Sequence, residues 1–138
     1  QIYERLPFLE HAPVCFVSAL ERTGIRDLFA EVDRVASEAR RRVDPSSLIT
    51  ALRQAVDRRP ITVDGVALRI QSAQQVGVEP PTFAVRVNVR GGVHFSYQRY
   101  LMNSLRHNFG FQGSPLRLLF RTAAKRGGAR RPAGRGGR

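Results

Sequence analysis

The chain is short and strongly basic. Its 138 residues include 23 lysines and arginines against 11 aspartates and glutamates, which gives a net charge of +12 at pH 7. This length suits one ordinary domain or two small units, and a hydrophobic fraction of 42% can form a modest core. The single cysteine excludes an intrachain disulfide and favours a reducing cytoplasm. No apolar run is long enough to span a membrane, and the first residues lack the character of a signal peptide.

The net positive charge belongs to the second half of the chain. Residues 1–79 hold 11 basic residues and all 11 acidic ones, whereas residues 80–138 hold 12 basic residues and no acidic one. Codon bias can favour arginine over lysine, but it does not remove every carboxylate from 59 consecutive residues. A polyanionic partner such as a nucleic acid is therefore predicted.

The first 43 residues have the pattern of one β-α unit. Residues 14–17 are all apolar, which predicts a short strand buried on both faces, as in a parallel sheet. After Thr23 and Gly24, apolar residues at helical spacing predict a helix that ends at three arginines, residues 40–42. Its apolar stripe consists of Ile25, Leu28, Phe29, Val32, Val35, Ala36 and Ala39. One such unit cannot cover both faces of its strand, so further strands of this sheet are expected outside the chain.

A second region, residues 44–121, has the pattern of a separate α+β domain. Asp44 and Pro45 suit the start of a helix that runs to about residue 58. Alternating apolar and polar residues then predict amphipathic strands at 66–71 and 83–90, separated by Pro80 and Pro81. The predicted order of this region begins helix, strand, strand.

The region ends with a further helix and a further strand. The spacing of Tyr97, Tyr100, Leu101, Leu105 and Phe109 predicts a helix over 95–109, with Gly110 as its C-terminal cap. Alternation predicts a third strand over 116–121. Residues 122–138 carry basic residues among glycines and no large apolar residue, so a disordered Arg/Gly tail is predicted.

These patterns predict a sheet with two helices on one face and arginines on the other. Arg69, Arg86 and Arg117 fall on the sheet face away from the helices, while Arg99 and Arg106 fall on the outer side of the last helix. The full set of predicted RNA contacts is Arg69, Arg86, Arg90, Arg99, Arg106, Arg117, Arg121, Lys125, Arg126, Arg130 and Arg131. Their contacts would neutralise phosphates with little base selectivity.

Several short stretches of the chain together carry a family resemblance. They are Val17-Ser18-Ala19-Leu20, Thr23-Gly24, Gln75-Val76-Gly77, Pro80-Pro81-Thr82-Phe83, Val87-Asn88, His94-Phe95-Ser96-Tyr97, Arg99-Tyr100-Leu101, Asn103, Leu105-Arg106, Phe109-Gly110-Phe111 and Gly113-Ser114-Pro115-Leu116-Arg117. In this combination the chain resembles the C-terminal part of the bacterial double GTPases called Der or EngA. In that family two nucleotide-binding domains precede a KH-like domain, and the protein takes part in assembly of the large ribosomal subunit.

The resemblance implies a division of the chain into three parts. Residues 1–43 would be the end of the second GTPase domain, an α/β P-loop fold, residues 44–121 the KH-like domain, and 122–138 the tail. Ser18 and Ala19 match the loop that approaches the guanine base. The resemblance also implies GTP or GDP as the cofactor of the longer parent, upstream GTPase domains as partners, a cytoplasmic location and a monomeric state.

The motifs for GTP hydrolysis are not in this stretch. It has no GxxxxGK[ST] loop for phosphates, no Asp-x-x-Gly switch and no Asn-Lys-x-Asp motif to read guanine. No catalytic residue is therefore predicted, and no cofactor is expected for this stretch alone. His11, His94 and His107 lack partners at ligand spacing, so no metal site is predicted either.

Two further features have a functional and a plain structural interpretation. The stretch Gly110-Phe111-Gln112-Gly113 matches the GXXG loop of KH domains, but it joins a helix to a strand, which favours a helix cap and turn. Aromatic residues at 95, 97, 100 and 109 could stack on bases, although their helical spacing favours core packing.

Two functions from different classes follow from the sequence. The leading one is the RNA- or ribosome-binding portion of a Der-like GTPase that acts in large-subunit assembly. The alternative is an intramolecular regulatory module that packs on the GTPase domains and senses their nucleotide state. A truncated product without activity of its own is a third possibility.

Overall fold

The computed structural model describes residues 1–122. The first part contains α1 (Ile2–Arg5), a 3-10 helix (Pro7–Leu9) and α2 (Ile25–Ala39). The second part contains α3 (Pro45–Arg58), β1 (Thr62–Val63), β2 (Val66–Ala67), β3 (Ile70–Gly77), β4 (Thr82–Val87), α4 (Phe95–Phe109) and β5 (Arg117–Thr122). The predicted tail lies outside the described residues, except for Thr122, which ends β5.

The second part is an α+β domain built on a three-stranded sheet. Its strands are ordered β3-β4-β5, with β3 antiparallel and β5 parallel to β4. A parallel neighbour requires a crossover, and α4 supplies it between β4 and β5. The order α3, β3, β4, α4, β5 confirms the predicted helix, strand, strand, helix, strand arrangement.

The core lies between one face of this sheet and the two helices. The largest fully buried side chains include Phe83 from β4, Leu52 from α3 and Leu101 from α4. Their burial follows the periods predicted from the sequence, because the apolar side of each strand and each helix faces the same space. Each large aliphatic side chain buried in this way contributes about 1.5–3 kcal/mol.

The helix α3 starts where its capping residues predict. The Asp44 carboxylate accepts hydrogen bonds from the backbone N–H groups of Ser46 and Ser47, each at 3.1 Å, and Pro45 opens the first turn. At the other end, the Tyr97 hydroxyl donates to the Arg59 carbonyl at 2.7 Å. These bonds satisfy backbone groups that the ends of a helix otherwise leave unpaired.

The predicted strand at residues 14–17 is wrong. These residues have no regular structure, and the Phe16 side chain is 83% exposed. Only a bridge between Ser18 and Thr23 forms beyond them. An apolar strand needs neighbours on both edges, and the described residues offer it none.

The predicted strand at residues 66–71 is also wrong in its extent. Residues 62–67 form a small hairpin of β1 and β2, and the main strand β3 covers residues 70–77. Asp64 and Gly65 have positive φ values at the hairpin turn, which ends the first pairing and lets the chain re-enter the main sheet. The strand β3 was not predicted in full, because its many polar residues do not alternate with apolar ones. The second predicted strand is shorter than expected and ends at Val87.

The first part of the chain contacts the domain at the end of α2. The Glu38 carboxylate accepts the Phe111 backbone N–H at 2.6 Å and pairs with Arg41. The Gln75 side chain accepts the Val43 N–H and donates to the Arg41 carbonyl, both at 2.9 Å. The boundary between the two parts is therefore a hydrogen-bonded junction.

Candidate nucleic-acid interface

The face of the sheet opposite the helices carries three exposed arginines. The register aligns Arg86 of β4 with Arg121 of β5, and Thr82 with Arg117. Residues aligned across a strand pair project from the same face, so Arg86, Arg117 and Arg121 share the face away from the core. Within the described residues, none of the three lies within salt-bridge distance of a carboxylate.

Polar and apolar groups lie between these arginines. Ser72 and Gln74 of β3 align with Arg86 and Ala84, and they are exposed on the same face. Leu119 lies two residues from each arginine of β5 and is 42% exposed. The face therefore combines guanidinium groups, neutral hydrogen-bonding side chains and the apolar side chains of Ala84 and Leu119. We name it the open face, formed by Ser72, Gln74, Ala84, Arg86, Arg117, Leu119 and Arg121.

Arg69 and Arg90 lie beyond the ends of the strands. The Arg69 N–H donates to the Asn88 side-chain oxygen at 2.7 Å, while the Asn88 N–H donates to the Arg69 carbonyl at 3.3 Å. This pairing continues the β3 and β4 register by one step, so Arg69 extends the open face. Arg90 is exposed in the segment that follows β4.

The two arginines of α4 differ in their environments. Arg99 is exposed, as predicted. Arg106 is half-buried: its Nη1 donates to the Phe111 carbonyl at 2.9 Å and to the Ser114 carbonyl at 2.7 Å. Burial lowers the pKa of its guanidinium, which still stays charged at any physiological pH. Arg106 lies on the same side of α4 as Arg99, the side predicted to be the helix exterior, but the loop after α4 folds back over it and leaves it half-buried.

The GXXG stretch forms the cap and turn that its position favours. The N–H of Gly110 donates to the Arg106 carbonyl at 2.9 Å and closes α4. Phe111 is fully buried, with its ring edge against Phe83 at a centroid distance of 5.6 Å. The α2 segment covers the loop, because a Cβ atom on Gly113 would collide with Val35. The backbone clamp of an ordinary KH domain is therefore not formed at this loop.

Three of the four aromatic residues of α4 pack in or against the core. The hydroxyl groups of Tyr97 and Tyr100 donate to the carbonyls of Arg59 and Ala55 at 2.7 and 2.8 Å, and Phe109 packs against the same cluster. Phe95 is instead 69% exposed beside His94, so its predicted place in the core is wrong. It is the first residue of α4.

The predicted guanine-base loop is an exposed turn. The Ser18 hydroxyl accepts the Glu21 N–H at 3.2 Å, and Ala19 is exposed. The segment before it passes close to Gly24, where the Phe16 carbonyl leaves no room for a Cβ atom. Contact between this turn and a guanine base remains an expectation from the family resemblance. Lys125, Arg126, Arg130 and Arg131 lie outside the described residues.

One arginine near the interface was missed by the sequence reasoning. The Arg53 Nε of α3 donates to the Ile70 carbonyl at 3.1 Å, which holds its guanidinium at the outer edge of β3. Its spacing on the polar side of α3 could have marked it as exposed, but only the tertiary structure brings it to the sheet edge. Ser72 and Gln74 were missed because β3 was not recognised as a strand.

Other kinds of site have little support in residues 1–122. No group of three or more histidines, cysteines or acidic residues in this range could hold a metal ion. None of its helices has the length and apolarity needed to cross a membrane. Cys15 is half-buried in the irregular segment before α2.

Comparisons with known proteins agree with this architecture. Residues 42–121 match the family described as the KH-domain-like of EngA bacterial GTPase enzymes, C-terminal. The chain is 45% identical over 122 residues to GTPase Der of Halothermothrix orenii, a match that covers 88% of this chain and 28% of that protein. It is 44% identical over 126 residues to GTPase Der of Moorella thermoacetica, with 91% of this chain and 29% of that protein covered.

A third relative, GTPase Der of Staphylococcus carnosus, is 41% identical over 120 residues, with 86% of this chain and 28% of that protein covered. The chain thus spans less than a third of the length of the relatives it matches. The family match covers the whole sheet up to Arg121 and both helices packed on it. The chain therefore belongs to the family of KH-domain-like C-terminal domains of EngA bacterial GTPases.

Proposed function

We propose that this chain is the RNA-binding C-terminal portion of a Der-type GTPase that acts in assembly of the large ribosomal subunit. The observation that carries the proposal is the open face, where Arg86, Arg117 and Arg121 lie together without a carboxylate in salt-bridge distance among the described residues. Guanidinium groups in this state are available for phosphate oxygens.

The mode of binding follows from the chemistry of the open face. Each arginine neutralises a phosphate and releases condensed counterions, so affinity comes from charge and depends steeply on salt. Contacts to phosphates fix position and carry little sequence information. Ser72 and Gln74 add neutral hydrogen-bonding groups, and Leu119 adds an apolar contact for a base or a ribose. The RNA would thus be recognised mainly by shape.

The direct test measures binding of the whole chain to large-subunit ribosomal RNA at several salt concentrations. The variant carries Arg86→Gln, Arg117→Gln and Arg121→Gln. The control carries Arg22→Gln, Arg26→Gln and Arg58→Gln, three exposed arginines away from the open face with the same loss of charge. We expect the variant, and not the control, to reduce the slope of log affinity against log salt by about 2 to 3, because each phosphate contact contributes about 0.7–0.9. Equal losses in both proteins would contradict an RNA site on the open face.

A second candidate function is a regulatory module that responds to the nucleotide state of the GTPase domains. It is favoured by the junction in which Glu38 of α2 accepts the N–H of Phe111 from the domain core. A shift of α2 would be transmitted directly to the loop after α4. The same titration separates the two functions, because no measurable RNA binding by the unmodified chain would reject the first and favour the second.

The GTPase activity itself is proposed only for the longer protein. The chain contains none of the motifs that hold phosphates and Mg²⁺, so GTP or GDP would be bound by the longer protein, with Ser18 and Ala19 contributing at the base.

A further inference from the structure

A polar cleft lies on the side of the molecule formed by α4, the segment after the 3-10 helix and the loop before β5. Its volume is about 430 Å³, within the roughly 300–1,000 Å³ of small-ligand sites. Arg99, Asn103 and Arg106 line it from α4, His11 from the N-terminal segment and Gln112 from the loop. These residues belong to three separate parts of the chain that only the tertiary structure brings together.

The helix aligns the charged groups of the cleft. Residues 99, 103 and 106 are spaced by four and three positions, which places them on one face of α4. The Cα atoms of Arg99 and Arg106 are about 10 Å apart along the helix axis, a distance that lets two long side chains converge on one group. The apolar side chains of Met102 and Leu116 line the cleft between the polar groups.

Arg106 is oriented before any ligand arrives. Its Nη1 uses both hydrogens on the carbonyls of Phe111 and Ser114. Its Nε and Nη2 donors have no partner within residues 1–122, and the Arg99 side chain makes no hydrogen bond or salt bridge there either. A fixed guanidinium loses little conformational entropy on binding, which favours an anion contact.

The remaining groups of the cleft also favour an anion. Asn103 and Gln112 supply amide donors. Burial and then the charge of Arg106 lower the pKa of His11, because the nearby guanidinium disfavours a second positive charge in the cleft. Among the described residues that line the cleft, Glu10 is the one acidic side chain, against two arginines. The net charge of the cleft is therefore positive.

We infer that this cleft binds a phosphate group through Arg99 and Arg106, with Asn103 and Gln112 as further donors. A planar carboxylate is satisfied by the fork of a single arginine, whereas a tetrahedral phosphate accepts hydrogen bonds from several directions. The donors of the cleft come from two directions, from α4 and from the loop before β5, and this arrangement suits a tetrahedral phosphate. The phosphate belongs either to an RNA backbone or to a free phosphate compound such as a nucleotide.

The test uses the complete ¹⁵N-labelled chain titrated with inorganic phosphate, against chloride at matched ionic strength. We expect NMR shifts at the side-chain N–H groups of Arg99, Asn103, Arg106 and Gln112. Arg99→Gln should weaken phosphate binding by about tenfold or more, the factor for one lost charge-assisted contact. Arg58→Gln removes the same charge from the exposed end of α3 and should leave binding unchanged. Because the Arg99 side chain is exposed and makes no hydrogen bond within residues 1–122, the Arg99→Gln variant should fold normally.

A second readout comes from His11. Phosphate that neutralises Arg106 should raise the pKa of His11 towards its ordinary value, since Arg99, Arg106 and Glu10 are the charged groups that line the cleft with it. The absence of shifts at the cleft, or shifts that Arg99→Gln leaves unchanged, would overturn the inference.

An RNA arm identifies the source of the phosphate. If Arg99→Gln weakens binding of large-subunit ribosomal RNA and inorganic phosphate competes with that RNA, the ligand is the nucleic-acid backbone. If Arg99→Gln weakens binding of inorganic phosphate but leaves RNA binding unchanged, the ligand is a free phosphate compound. The inference stands apart from the proposed function, because the open-face variant alters RNA binding without touching the cleft. Phosphate binding in a chain that binds no RNA would reject the proposed function and retain the cleft.

Discussion

Arg86 and Arg106 show how the same side chain acquires two roles. Arg86 projects from the middle strand of the sheet into solvent, without a carboxylate in salt-bridge distance among the described residues. Arg106 is half-buried and is held by two carbonyls, so it stabilises the loop after α4 as well as lining the cleft. The sequence predicted a phosphate-binding role for both arginines. Their burial decides which of them can be replaced without lowering the stability of the fold.

Glu38 gives a prediction at the level of one residue. Burial alone would raise the pKa of the Glu38 carboxyl. Hydrogen bonds from Arg41 and from the Phe111 N–H lower the pKa, and so do the positive charges of Arg41 and Arg34. Together these effects outweigh burial and leave the pKa below 4.5. A lowered pKa in the folded state stabilises the protein above the unfolded pKa, and this stability is lost as the pH falls through the folded pKa.

We therefore expect Glu38→Gln to lower the free energy of unfolding at pH 7 by about 1 kcal/mol, the typical net contribution of one hydrogen bond. The difference from the unmodified chain should vanish as the pH falls below the ordinary glutamate range, in urea titrations at a series of pH values. Glu21→Gln, at an exposed carboxylate without a salt bridge in the described residues, is the control. A difference that stayed constant with pH would contradict this role for Glu38.

At the level of elements, α2 is attached to the domain through its C-terminal half. Val35 packs against Gly113, and Glu38 packs against Gly110 and bonds the Phe111 N–H. The N-terminal half of α2 instead exposes the apolar stripe that the sequence predicted, including Phe29 and Val32. The helix is therefore amphipathic as predicted, but residues 1–122 cover only part of its apolar side.

A pair of glycines tests this attachment. Gly113 and Gly65 both have φ near +79°, at 79° and 78°, so alanine costs about 1–2 kcal/mol of backbone strain at either position. Only at Gly113 would the new methyl group collide with Val35, whereas nothing lies within 4 Å of a Cβ at Gly65. We expect Gly113→Ala to lower the thermal unfolding temperature more than Gly65→Ala does. Adding Val35→Ala to Gly113→Ala should restore part of this difference, because it removes the side chain with which the new methyl group collides. Equal effects of the two glycine changes would show that α2 does not pack on this loop in solution.

At the level of the whole molecule, order differs between the two parts of the chain. Residues 10–24 are largely irregular and exposed, and the strand predicted at residues 14–17 does not form. The domain from α3 to β5 has a closed apolar core and paired strands. Local opening costs least where few apolar contacts and backbone hydrogen bonds must break.

Limited trypsin digestion should report this difference. Within residues 1–122, we expect the first cleavage after Arg22, in the exposed turn between Ser18 and Thr23. Cleavage after Arg86 or Arg117, which lie in paired strands, should be slower by more than about tenfold. Intact-mass spectrometry over a time course measures the cleavage rates at these sites. Equal rates at Arg22 and Arg86 would mean that the sheet opens as readily as the turn.

The sequence by itself determined the features that depend on neighbours a few residues apart. The period of apolar residues predicted α4 with the bounds Phe95–Phe109, and Asp44 with Pro45 predicted the start of α3. The absence of carboxylates after residue 79 marked the basic half, and short motifs identified the family. These signals are local, because helix and strand periods repeat within a few residues.

Only the tertiary structure decided the features that depend on distant residues. The alignment of Arg86 with Arg121, the bond from Phe111 to Glu38 and the cleft between His11 and Arg106 each join residues more than 30 positions apart. The failed strand at residues 14–17 has the same physical reason, since a strand is stable only when other strands pair with it and cover its faces. Composition supplied the arginines, and the packing of α4, the sheet and the loops decided which of them reach solvent.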